Sequence, residues 1–191
     1  PGAVGYGSET PGGRGGKVIQ VTTLAADGPG SLREALSAQG PRIVVFAVGG
    51  VIDLAEQTIE ISEPFVTVAG QTAPSPGITL IKGGLRISAH DVVLRHIAVR
   101  PGDCGKPKKS GWSPDGLTTF TSKAPGAKGP YNVVVDHCSF TWGVDENLSA
   151  SGVRHAGRDF TSHRMTFSHN IISEGLADSS HEKGELDPKV N

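Results

Sequence analysis

Val93-Leu94-Arg95-His96-Ile97-Ala98-Val99 runs as two apolar residues, a polar one, a histidine at a bend and a second short apolar run. The same order returns in Val134-Val135-Asp136-His137-Cys138-Ser139-Phe140 and in Thr166-Phe167-Ser168-His169-Asn170-Ile171-Ile172. The histidines are 41 and then 32 residues apart, the spacing of solenoid coils that carry insertions. Equivalent positions of neighbouring coils stack, so His96, His137 and His169 are expected to form a ladder along one edge. Such a ladder satisfies turn amides and is structural rather than catalytic.

Working outward, short β-type runs follow one another from Ile43–Val48 to Met165–Ile172, most of them separated by Gly, Pro, Asn or Asp. Parallel strands in a doubly wound sheet would need helical crossovers, and none intervenes. A sandwich fits the strand count, but the repeat favours a solenoid. The expected fold is all-β: one right-handed parallel β-helix domain over residues 1–191, with coils at 42–184 and an incomplete C-terminal end. One helix is expected at 31–38. Ser31 and Glu34 have capping-box spacing, and Leu32, Ala35 and Leu36 share a face that would close the open N-terminal end of the stack. Residues 1–30 read as an irregular lead-in. Gly12 to Lys17 fails as a phosphate loop, because Pro11 stands at the first glycine position and Val18 replaces the Ser or Thr; it reads as flexible.

Composition agrees. Hydrophobic residues make up 36% of the 191 but aromatics only 5%, and 27 Gly with 13 Pro demand frequent turns. A net charge of −1 argues against a nucleic-acid partner. No apolar run approaches the ~20 residues that cross a bilayer, so no membrane partner is expected. The chain opens on Pro1-Gly2-Ala3 without a leader pattern, as a processed chain would. Whether Cys104 and Cys138 pair is left open by their number and spacing.

Several ordered motifs resemble the pectate lyases. They are Gly12-Gly13-Arg14-Gly15-Gly16-Lys17-Val18, Gly28-Pro29-Gly30-Ser31-Leu32-Arg33-Glu34-Ala35 and the Val134–Phe140 segment. Trp142-Gly143-Val144-Asp145-Glu146-Asn147-Leu148, Ile172-Ser173-Glu174-Gly175-Leu176 and His181-Glu182-Lys183-Gly184 follow in the family's order. The resemblance implies a parallel β-helix, secretion, bound Ca2+, and β-elimination of an acidic plant polysaccharide, polygalacturonate or pectin, by a protein monomeric when complete.

That chemistry needs particular residues. Elimination removes a proton beside a uronic carboxylate, and fixed positive charge there stabilises the transition state. Calcium takes six to eight oxygen ligands in loose geometry, so acids from different coils must converge. Asp115, in Pro114-Asp115-Gly116-Leu117, stands where the family has a calcium carboxylate, and Asp145 and Glu146 precede the strand of the following coil. Coils stack about 4.8 Å apart, so acids at matching corners can share one cation. The expected metal ligands are Asp115, Asp145 and Glu146. Ser149 stands where the family has a further Asp, so the site either holds calcium more weakly or uses Glu146 instead. The resemblance makes Asp136 a buried structural acid and gives Lys183 the substrate carboxylate. Lys106, Lys108 and Lys109 beside Trp112 form a basic loop that reads either as a sugar contact or as a solvated insertion. Asn147-Leu148-Ser149 is a glycosylation sequon expected to go unused within a strand.

The family's catalytic base is an arginine about one coil past the segment of Lys183, which counting puts beyond Asn191; Arg154, Arg158 and Arg164 lie too early. No catalytic residue is assigned. A pectin-binding or structural β-helix without the base is the alternative function.

Overall fold

The computed structural model describes residues 3–120 and 127–181. The chain opens with β1 (Lys17–Val21) and α1 (Leu32–Ser37), and then coils. The first full coil is β2 (Arg42–Phe46), β3 (Gly50–Asp53) and β4 (Ile59–Ile61), and the second is β5 (Val66–Ala69), β6 (Ile78–Ile81) and β7 (Leu85–Ile87). The third is β8 (Val92–Arg95), β9 (Ile97–Arg100) and β10 (Leu117–Thr119), and the fourth is β11 (Tyr131–Asp136), β12 (Ser139–Thr141) and β13 (Leu148–Ala150). β14 (His163–Ser168) and β15 (Ile171–Ser173) begin a fifth. Each coil gives one strand to each of three sheets, ordered β1-β2-β5-β8-β11-β14, β3-β6-β9-β12-β15 and β4-β7-β10-β13. Every strand pair is parallel. The fold is the expected parallel β-helix. No described helix is long and apolar enough to cross a membrane.

Strand alternation places one residue in two inside, and register stacks like positions. Val44, Val68, Leu94 and Val135 align in the first sheet, and Ile52, Leu80, Val99 and Phe140 in the second. All eight are buried. Each such side chain contributes about 1.5–3 kcal/mol on leaving water, so the core is a set of aliphatic columns.

The histidine bends follow the repeat. His96, His137 and His169 adopt φ of 55°, 54° and 53° at the bend where the chain passes from the first sheet to the second, a link of one or two residues. A left-handed non-glycine residue costs roughly 1–2 kcal/mol. Ring stacking offsets part of that cost: His96 and His137 lie 5.0 Å apart at 20°, His137 and His169 4.7 Å apart at 27°.

α1 caps the stack as its apolar stripe predicts. Ser31 Oγ accepts the Glu34 amide at 3.2 Å, while Glu34 Oε2 accepts the Gly30 amide at 2.6 Å. Leu32, Ala35 and Leu36 are buried. Sequence reasoning missed the bolt that holds this cap. Arg42 is 1% exposed, and its guanidinium donates to the carbonyls of Ala35, Leu36, Gly40, Glu63 and Pro64. Burial lowers its pKa. The carbonyl ends of the helix, which carry partial negative charge, receive it.

The expectation of a flexible lead-in is corrected. Residues 4–16 form a strap laid over the first sheet from the fifth coil back to the first. Thr166 Oγ1 donates to the Val4 carbonyl and accepts the Gly7 amide, Thr10 donates to buried Asp91, and the Gly13 amide donates to Thr67. The glycines allow contact with backbone rather than motion. A Cβ on Gly13 would lie 1.7 Å from the Arg42 carbonyl oxygen, and one on Gly7 2.5 Å from that of Val133. β1, read as part of the lead-in, pairs with β2 from Lys17↔Arg42 to Val21↔Phe46. Cys104 and Cys138 are free thiols.

Candidate metal centre

The third sheet carries the acids. Asp115 lies just before β10 and Asp145 and Glu146 just before β13, and these strands pair Leu117↔Leu148. Counting back two residues from each leucine makes Glu146, rather than Asp145, the register counterpart of Asp115. The Glu146 amide donates to Asp115 Oδ1 at 3.1 Å, fixing one corner to the next. Carboxylate oxygens of Asp115, Asp145 and Glu146 all lie within 4.8 Å of one another.

Three like charges at that separation repel. Desolvation in the cleft, together with the Asp115 and Asp145 carboxylates, pushes the Glu146 carboxyl up to about 7. His181 Nε2 stands 3.5 Å from Asp145 Oδ2. The acids line one cleft of about 420 Å³ with Arg86, Thr118 and Ser149. Ser149 Oγ donates to Thr118 Oγ1 at 2.9 Å. All the acid ligand atoms are oxygens, suited to a hard cation, and the crowding of unneutralised carboxylates fits one.

A second cluster gathers on Asp136. Its carboxylate accepts from Arg95 (Nε 2.9 Å and a terminal nitrogen 2.8 Å), Ser168 (2.9 Å), and the Nδ1 atoms of His137 and His169, both at 2.9 Å. Burial alone would raise its pKa, but His169, His137, Ser168 and Arg95 together hold the carboxyl well below the usual range. Asp136, His137 and His169 are close enough to share a metal ion. The Arg95 cation in the same shell opposes that use, and the carboxylate is already engaged. A hollow of about 480 Å³ runs along His96, His137 and His169. Its imidazoles at 137 and 169 are spoken for at Nδ1, whereas the acid cleft gathers three carboxylates within 4.8 Å of one another.

The other sequence candidates fall as follows. In the basic loop, Lys106 pairs with Glu56 at 2.8 Å, Lys108 with Asp178, and the Trp112 indole donates to the Gly102 carbonyl at 3.0 Å. The loop is therefore tied down on its own protein. Asn147 bridges the Gly143 amide and the Ser173 carbonyl with its side chain, which engages the sequon's amide. Lys183 lies outside the described residues.

No family model matches the chain. A probable pectate lyase C of Emericella nidulans is 44% identical over 177 residues, covering 92% of this chain and 36% of that protein. The chain is similar to part of this pectate lyase. A probable pectate lyase C of Aspergillus terreus is 40% identical over the same share. The chain thus spans 36% of the length of these relatives. Among solved structures, jun a 1, the major allergen from cedar pollen, superposes with a TM-score of 0.64 at 20% identity, covering 86% of this chain and 47% of that one. That likeness bears on the fold. The chain thus carries its acids at the third sheet of a β-helix, and its Asp-His cluster at the corner between the first and second sheets.

Proposed function

We propose that this chain carries the calcium-binding corner of a secreted lyase that cleaves polygalacturonate by β-elimination. The observation behind the reading is the convergence of Asp115, Asp145 and Glu146 from adjacent coils to within 4.8 Å. Asp115 and Glu146, at matching register, would face the ion from two coils, with Asp145 completing the carboxylate side. Bound there, calcium would neutralise a uronate carboxylate and acidify the proton beside it. The protein's own part is to hold the three carboxylates fixed by β-ladder register, so that little reorganisation is needed on binding. The Thr118 and Ser149 hydroxyls provide polar contacts on the cleft floor. Lys183 is proposed for the substrate carboxylate on the strength of the family motif, and no residue here is assigned the base.

Calorimetry with calcium tests the reading directly. Wild-type protein should bind one ion per chain, and Asp115→Ala should abolish that binding while leaving the far-ultraviolet circular dichroism unchanged. Absence of calcium binding in the wild type at pH 8 refutes the proposal. Ultraviolet absorbance of unsaturated product, with and without chelator, reports turnover of polygalacturonate.

A further inference from the structure

Among the described residues, Arg86 is the one cation that lines the acid cleft. It stands at the centre of β7, facing outward, with Glu60 of β4 on one side in register and Thr118 of β10 on the other. A guanidinium beside three carboxylates and one register-matched glutamate would be expected to pair. Among the described residues it makes no ion pair or hydrogen bond, and its Nε is buried without a partner. Glu60 instead accepts from Ser88 at 2.5 Å.

Nε itself is sealed from solvent, so an acceptor arriving from the cleft would meet the terminal nitrogens of the guanidinium, and a charged donor group left without an acceptor is costly. The cleft supplies the geometry for one. Acids line it at the turn and Arg86 lines it on the floor, so an incoming group meets a cation-binding corner and a guanidinium fork in one volume of about 420 Å³. A neutral sugar hydroxyl would use one donor. A carboxylate can take the fork through two parallel bonds and match its charge.

We infer that Arg86 is a substrate-binding residue that grips a uronate carboxylate in the cleft beside the calcium corner. The inference rests on the lyase reading and adds to it a specificity element on the protein itself. It makes the cleft selective for unesterified acidic units, because a methyl ester keeps the carbonyl acceptor but loses the charge and one arm of the fork.

Titration of trigalacturonate in saturating calcium, at low temperature, tests it. Arg86→Ala should weaken binding at least tenfold, while calcium affinity measured without sugar stays equal or tightens, since a repelling cation is gone. Arg86→Lys, which keeps the charge without the fork, should recover part of the loss. Fully methyl-esterified trimer should bind wild type and Arg86→Ala alike. Should Arg86→Ala fail to fold by circular dichroism, Arg86→Gln replaces it with the same expectation. Trigalacturonate affinity within twofold of wild type, or calcium affinity that falls in the variant, overturns the role of Arg86 alone. A wild type that binds calcium but no trigalacturonate overturns the inference together with the substrate assignment.

Discussion

Replacing Asp136 by Ala removes one carboxylate on which side chains of three successive coils depend. Arg95 comes from the third coil, His137 from the fourth, and Ser168 and His169 from the fifth. Hydrogen bonds to a charged group contribute about 1.5–3 kcal/mol each, and a simple sum would overshoot. The carboxylate is only 11% exposed, but its donors are not sealed: side-chain exposure is 37% for Arg95, 45% for His137 and 67% for His169. Those groups rehydrate when the acceptor goes, which pulls the cost to the low end of the ~3–5 kcal/mol found for breaking a buried pair. The expected loss is about 3 kcal/mol in urea unfolding at pH 7. Asp136→Asn should lose nearly as much, since its amide group would face donors. The sign with pH follows from the depressed carboxyl. Asp136 contributes its full stabilisation above the unfolded value near pH 4 and loses it as pH falls through the lower folded value, so the gap between wild type and variant should narrow in acid. A loss below 1 kcal/mol for both variants, or a gap unchanged down to pH 2, would refute the hub reasoning.

Calcium affinity should fall as pH drops from 8 to 6, because Glu146 with a carboxyl near 7 must lose its proton to bind; calorimetry showing constant affinity across that range would contradict it. Gly13→Ala should destabilise the fold by more than 2 kcal/mol by thermal or urea unfolding, since the added methyl meets backbone and not a movable side chain. Unchanged stability there would mean that the strap can lift at no cost.

The coil repeat was readable because it lives in local sequence. A histidine that must bend the chain recurs wherever the first sheet hands over to the second, and the apolar alternation on either side marks the strands. Asp115, Asp145 and Glu146 were readable for the same reason: acids just before strands of adjacent coils share a corner whatever the loops do. The strap was not, because glycine records only a missing side chain. Gly13 reads as freedom in sequence, while in the fold its missing side chain lets two backbones touch. Arg42 and Arg86 escaped for a related reason. An arginine on a strand is normally a solvated outer position, and only tertiary placement turns one into a bolt under the cap and the other into an unpaired donor in the cleft. The buried Asp91, beside its neighbour His90, receives Thr10 and Asn132, which likewise lie far from it in sequence.

The strap changes how such a molecule can come apart and come together. A solenoid ordinarily behaves as a row of units that speak only to their neighbours, so it frays from an end and can grow from any nucleus. Here Gly7 is bonded to Thr166, 159 residues away, with every intervening coil beneath the same segment. Residues 4–7 wait for the fifth coil before they find their seat. Closing that long loop is an entropic demand that local coil formation cannot meet, which predicts slow late folding. Once seated, the strap couples the fifth coil to the first, so loosening either coil loosens the other. A row of independent units becomes a single cooperative one.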